Sequence, residues 1–311
     1  MKRLLALILA AALMLSLLAG CGSAPAEETG ELKIVTTIFP LYDWTKNLLG
    51  DRAEEVSLTM LLDDGVDMHS FQPAVSDMIS VSSCDLLIYV GGESDAWVAD
   101  ALKERANHDM IALNLMDVLG ERALQEELVE GMQGEADDAP DEHIWLSLRN
   151  AVILCAAIRD ALIELDAEHS RSYEAAFAVY DAKLQQLDAD YASVIGAAAQ
   201  HTLIVADRFP FRYLVEDYGL DYYAAFSGCE AETEASFATV IFLAGKADEL
   251  GAGSLCVIET SDRKLARTVN ENTKNRDLTI LTLHSMQGAV GDGDYLSLME
   301  QNLNVLKEAL N

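Results

Sequence analysis

Apolar positions change their period several times along the chain, and those changes divide it. Met1-Lys2-Arg3 opens onto an apolar stretch over 4–18 that carries no charge. At fifteen residues it is too short to span a bilayer comfortably. A β-branched run over 33–38 follows, and beyond Pro40 the apolar residues Leu41, Trp44, Leu48 and Leu49 step at helical spacing. An alternating βα chain begins there. Further strands are predicted at 56–61, 85–90 and 110–114, and a helix over 146–165. Between them, 120–142 is acidic and poor in β-branched residues and ends in Asp137-Asp138-Ala139-Pro140, which predicts a surface loop with a frayed helix.

Over 167–199 the pattern lengthens. Tyr173, Phe177, Tyr180, Leu184, Leu187 and Tyr191 recur at three- and four-residue steps, with no Pro and no Gly before Gly196. This predicts one long amphipathic helix. Strands then resume at 202–206, 222–226, 254–259 and 278–283, with helices between them and one at the end. Two βα arrays joined by a long helix predict an α/β protein of two lobes, each a mainly parallel sheet with helices outside. The lobes are expected over 31–166 and 200–311, bridged by the helix at 167–199. Parallel sheets bind ligands beyond the carboxyl ends of their strands, which places a site in the cleft between the lobes. No internal repeat is strong enough to announce a duplication.

The N-terminal stretch ends in Leu18-Ala19-Gly20-Cys21. A basic start, a short apolar core and small residues before a cysteine predict a lipoprotein signal peptide over 1–20, cut ahead of a lipidated Cys21. Residues 21–30 are small, polar and turn-prone, as a flexible tether would be. The chain is thus expected outside the cytoplasm, held by lipid on the outer face of the cell membrane. The roughly 280 residues that remain suffice for two lobes of ordinary size, and a monomer is expected.

Charge narrows the partners. Against 21 basic residues stand 52 acidic ones, a formal net charge of −31, and this excess repels phosphate and argues against nucleic acid. Cys84, Cys155, Cys229 and Cys256 show no CxxC spacing, and three lie in apolar runs, so buried thiols are expected rather than a zinc knuckle or a disulfide framework.

Histidine is scarce, with six in all, so placement matters more than number. His69 lies in a polar loop after the second predicted strand, and His143 in Asp141-Glu142-His143-Ile144-Trp145, directly before a helix. His284 follows the last strand, while Asp207 and Glu259 close two others. Imidazole and carboxylate are the ordinary ligands of zinc, and these five residues fall where an inter-lobe cleft would be, although spacing alone cannot show convergence. His108, His169 and His201 flank helices and are expected on the surface.

Asp67-x-His69-x-Phe71-x-Pro73 and Asp141-x-His143-x-Trp145-Leu146 resemble two signatures of the substrate-binding lipoproteins of zinc and manganese ABC importers. The resemblance extends through the opening Ile34-Val35-Thr36-Thr37-Ile38-Phe39-Pro40-Leu41, through Asp166-x-Glu168-His169, and through Tyr213 and Tyr218-Gly219-Leu220 to Tyr295 and Gln301-Asn302. It implies a metal held between two lobes, a membrane permease as partner and no catalysis, with His69 and His143 as ligands. The second lobe departs from the family pattern. Where a third histidine is usual the chain reads Ala206-Asp207-Arg208, and where an acid is usual it has His284. If one exchange compensates the other, Asp207 and His284 complete a site of three imidazoles and one carboxylate, suited to zinc.

Glu259 is expected behind the ligands, orienting an imidazole or pairing Arg208, or else as an alternative ligand. Cys229 could border the site, and a soft thiolate would favour zinc over manganese. The sequence thus reads as a receptor that delivers Zn2+ to an ABC importer. A manganese receptor of the same type and a surface adhesin are the alternatives. A zinc-dependent hydrolase is weaker, because neither HExxH nor a Gly-x-Ser-x-Gly elbow occurs.

Overall fold

Among the described residues, eight short strands pair into two parallel sheets. In the first, β1 (Lys33–Thr36), β2 (Ser57–Met60), β3 (Leu86–Tyr89) and β4 (Ile111–Asn114) lie in the order β2-β1-β3-β4. In the second, β5 (Thr202–Phe209), β6 (Asp221–Ser227), β7 (Ser254–Ile258) and β8 (Thr279–Leu283) lie in the order β6-β5-β7-β8. Every strand pairing is parallel, as predicted. The two sheets therefore share one topology, which no repeat in the sequence announces. This computed structural model describes residues 31–62, 66–134, 139–229, 234–288 and 293–311. The expected signal peptide, the tether and Cys21 lie outside these residues.

Parallel neighbours need crossovers, and amphipathic helices supply them. In the first half these are α1 (Phe39–Leu49), α2 (Val75–Ser83) and α3 (Val98–Lys103), followed by the short α4 (Leu115–Leu119). In the second half they are α7 (Arg212–Tyr218), α8 (Phe237–Leu250) and α9 (Lys264–Glu271). Helices on both faces bury the central strands: Leu86, Leu87 and Ile88 of β3 are fully inaccessible, and all five residues of β7 are buried.

Between the halves run α5 (Leu148–Leu165) and α6 (Ser170–Gly196). Over its 27 residues α6 buries Tyr173, Tyr180, Leu184, Leu187, Tyr191 and Ile195, the predicted stripe. It begins later than expected, because Ala167–His169 forms a separate 3-10 turn. There Asp166 accepts hydrogen bonds from Arg52, Tyr173 and the His169 ring, which breaks the helical path. α6 packs on α1 and α5 from the first half and on α7 and α10 (Tyr295–Ala309) from the second. Tyr295 ties α10 back to the first half, since its hydroxyl donates to Trp145 O at 2.6 Å, its backbone N–H donates to Asp43 Oδ2 and its ring meets Trp44 edge-on. From Lys33 to Asn311 the chain forms one compact unit. Among the described residues no helix is long and apolar enough to cross a membrane.

Two features differ from the sequence reading. The acidic segment over 120–142 is more than a surface loop, because Gln133 bridges to Phe226 of β6 and its N–H donates to Ala225 O at 2.8 Å. The segment thus crosses from the first sheet to the second. β5, expected to stop at residue 206, runs on to Phe209 through an irregularity in which Val205 pairs with Ala224 but Arg208 with Phe226. Ala206 and Asp207 of β5 thereby face the single Ala225 of β6, a bulge that re-aims the side chains around Asp207.

Candidate metal centre

Two Asp-x-His turns build one side of the site. After β2, Asp67 caps the turn Met68–Ser70 by accepting from the His69 N–H at 3.0 Å. Its other oxygen accepts from Arg208 Nη2 at 2.6 Å, from the second half of the molecule. Burial alone would raise the Asp67 carboxyl; the Arg208 guanidinium outweighs it and holds the group below the ordinary carboxylate range. Before α5, Asp141 Oδ1 accepts from both the backbone N–H of His143 at 2.8 Å and its ring Nδ1 at 2.9 Å. Each aspartate thus fixes the backbone of the histidine two residues on, a local bond that Asp makes readily.

The rings then converge. The Asp141 bond engages His143 Nδ1, so the ring's Nε2 lies on the side away from Asp141. His69 Nδ1 faces Ser94 Oγ at 2.9 Å and Glu142 Oε2 at 3.7 Å. Burial, and then the neighbouring His143, push the His69 imidazole down to about 3, so it is neutral across the physiological range. The two Nε2 atoms lie 3.2 Å apart. Two rings whose Nδ1 atoms are hydrogen-bonded to Ser94 and Asp141 turn their Nε2 atoms toward one point, an arrangement suited to a shared cation.

The second half closes over this pair. Gln287, only 2% exposed, places its amide Nε2 3.3 Å from His69 Nε2 and in close contact with His143 Nε2, while its Oε1 has no partner. Exchange of the two amide atoms would instead aim the oxygen at both imidazoles. Cys229 arrives from the end of β6, and His69, His143 and Cys229 present donor atoms that all lie within 4.8 Å of one another. Gly228 permits this approach, because a Cβ there would meet His143 Cε1 at 2.7 Å and Phe209 O at 2.9 Å. The Cys229 N–H donates to Glu126 Oε1, so the crossing acidic segment holds it. Burial, and then Glu126, push the Cys229 thiol up from its ordinary value. Further contacts seal the two halves here: Trp145 Nε1 donates to Ser285 O at 2.8 Å and the Met68 N–H to Gln287 O at 3.3 Å.

The other expected site residues go elsewhere. Asp207, in the bulge, accepts from the Arg208 N–H and hydrogen-bonds Ser261; burial raises its carboxyl and these bonds oppose the rise. It lines a cavity of about 580 Å³ with Thr260, Ser261 and Lys264, whose lining includes neither His69 nor His143. Glu259 spends both oxygens on the next loop, accepting from the Ser285 N–H and hydroxyl and from the Met286 N–H at 2.8 to 2.9 Å. It orients no imidazole and does not pair Arg208, whose acid is Asp67. His284 is gripped on both backbone sides by Asn302, and its ring Nδ1 is buried without a partner. No described donor group joins Asp207, Glu259 or His284 to the histidine pair, so the expected compensation between Asp207 and His284 is not assembled.

The position near the rings falls to Gln287, which the sequence gives no reason to select. Met286, at a φ of +55°, turns the chain so that the next residue reaches back, and the Glu259 bond to its N–H supports a conformation costing roughly 1–2 kcal/mol. Cys84, Cys155 and Cys256 are buried free thiols; His108 and His201 are exposed, and His169 pairs with Asp166.

Comparison with known proteins fits this geometry. The model of a family described as zinc-uptake complex component A, periplasmic, matches residues 34–309. The zinc-binding protein AdcA of Streptococcus pyogenes is 25% identical over 295 residues, which cover 89% of this chain; the match spans only 56% of that longer relative. The high-affinity zinc uptake system protein ZnuA of Bacillus subtilis is 26% identical over 304 residues, 94% of each chain. Among solved structures, the Zn(II)-bound ZnuA-like domain of Streptococcus pneumoniae AdcA superimposes with a TM-score of 0.72 at 26% identity, over 90% of this chain and 99% of that one.

Proposed function

The chain belongs to the family of periplasmic zinc-uptake complex component A, and from that premise we propose that it is an extracytoplasmic receptor that captures zinc and delivers it to the membrane permease of an ABC importer. The observation that carries this reading is the pair of Nε2 atoms, 3.2 Å apart on rings oriented by Ser94 and Asp141. Tetrahedral zinc with bonds of about 2.0–2.1 Å to nitrogen separates two such donors by about 3.3–3.4 Å. Little rearrangement of the pair is needed. Asp141 behind His143 makes the ring a better donor and fixes its tautomer.

Capture and release follow from where the donors sit. His69 and His143 belong to the first half, while Gln287 and the Arg208 that pairs Asp67 belong to the second, so parting the halves would open the site and closing them would exclude water. Lipidation at Cys21 would keep the receptor beside its permease; Cys21→Ala should abolish lipid labelling and release the protein from the membrane. The central test is the His69→Ala, His143→Ala double variant, followed by calorimetry with zinc and circular dichroism for the fold. It should stay folded and lose high-affinity zinc; unchanged affinity and stoichiometry would sink the reading.

A further inference from the structure

Resting on the receptor reading, we propose that Cys229 is the third ligand to the captured metal, with the Gln287 carboxamide oxygen as the fourth, and that this thiolate selects zinc against manganese. Among the described residues, the one group of three or more His, Cys, Asp or Glu donors close enough to share an ion is His69, His143 and Cys229. Apart from Glu142, whose buried Oε2 lies 3.7 Å from His69 Nδ1 on the side away from the Nε2 pair, the acids that would supply an oxygen-rich site are occupied. Glu259 holds the backbone of the 285–286 turn, Asp207 hydrogen-bonds within its own half, and Asp67 and Asp141 each use a side-chain oxygen on a histidine backbone N–H.

The thiol also lies in a built position. Gly228 brings the end of β6 against the His143 ring, and Glu126 takes the Cys229 N–H from the far side. The segment carrying Glu126 is in turn stitched to β6 by Gln133. The other three described cysteines are buried within the apolar core, with at most 1% exposure, whereas Cys229 is half-buried at the mouth of the sheet. Gln287 adds an independent observation, since a 98% buried carboxamide with an unpartnered oxygen lies against both Nε2 atoms. With the amide exchanged, that oxygen becomes a donor.

Two neutral imidazoles, one thiolate and one amide oxygen form a closed four-donor site. Bonds of about 2.3 Å to sulfur and 2.0–2.1 Å to nitrogen imply donor separations of about 3.5 Å, so the present spacing of up to 4.8 Å needs only side-chain adjustment. Thiolate suits zinc, while manganese prefers carboxylate, carbonyl and water. A four-donor set with one sulfur offers manganese too few oxygens.

X-ray absorption at the zinc edge of the zinc-loaded protein tests this without any variant. One sulfur neighbour at about 2.3 Å is expected beside nitrogen and oxygen at 2.0–2.1 Å. Cys229→Ser should lose the sulfur neighbour and weaken zinc by more than the ten- to hundredfold typical of residues behind the ligands. Cys229→Asp should narrow the zinc-to-manganese affinity ratio. Zinc bound stoichiometrically through nitrogen and oxygen alone, or with undiminished affinity in Cys229→Ser, overturns the proposal while the receptor reading stands. A wild-type protein that binds no zinc overturns both.

Discussion

The two halves share a strand order but bring residues to the site by different means. In the first half each ligand candidate is placed by its own neighbourhood, with an aspartate two residues earlier bonding the histidine N–H at both His69 and His143. In the second half, at the strand ends, Asp207 and Glu259 spend their carboxylates within that half. His284 is held there through its backbone by Asn302, while its ring Nδ1 has no partner. Residues from the loops beyond, Cys229 and Gln287, take the places beside the rings. A strand end thus supplies a location, and the neighbouring donors and acceptors decide which side chain is free to use it.

The largest effect is expected where the first half is broken. His143→Ala should weaken zinc by more than about a hundredfold, beyond what loss of an orienting residue costs. Calorimetry or chelator competition would measure it, and a change under tenfold would remove this half from the site.

Next comes the joint. Burial pushes the Asp43 carboxyl up from 3.8 to about 6 beside the Tyr295 N–H. The folded state therefore holds this proton more tightly than the unfolded chain, so Asp43 disfavours folding as pH rises from about 4 through 6, by about 3 kcal/mol once ionised. Asp43→Asn should flatten that part of the stability profile in urea titrations at pH 4.5 and 7, with zinc affinity little changed. An identical pH slope in the variant would remove Asp43 as its source.

Asp141→Asn should cost zinc affinity about ten- to hundredfold, because the amide no longer enforces Nδ1 protonation of His143. In the second half, Glu259→Gln should act through the loop that carries Gln287, lowering stability by about 1–3 kcal/mol through three disturbed bonds and weakening zinc about tenfold. Asp207→Asn is expected to leave zinc affinity unchanged. This last pair sharpens the comparison most directly: if Asp207→Asn proved the more damaging, the bulge would not have turned Asp207 away from the metal.

Much of this was legible in the chain. Apolar runs located all eight strands to within a few residues, since burial on both faces of a parallel strand leaves an unbroken hydrophobic signature. Periodicity likewise located α6, because a 3.6-residue stripe needs no knowledge of its partner. The Asp-x-His turns were visible for a related reason, their bonds spanning two residues. What the tertiary structure alone decided depends on distant registers. The bulge at Asp207 exists only against β6, the Met286 turn only under Glu259, 27 residues earlier, and the Gln287 amide reaches His69 across 218 residues. A hydrogen bond between such positions leaves no period in the sequence, so which polar residue is consumed by structure and which is left for a metal emerges only when the two sheets are packed together.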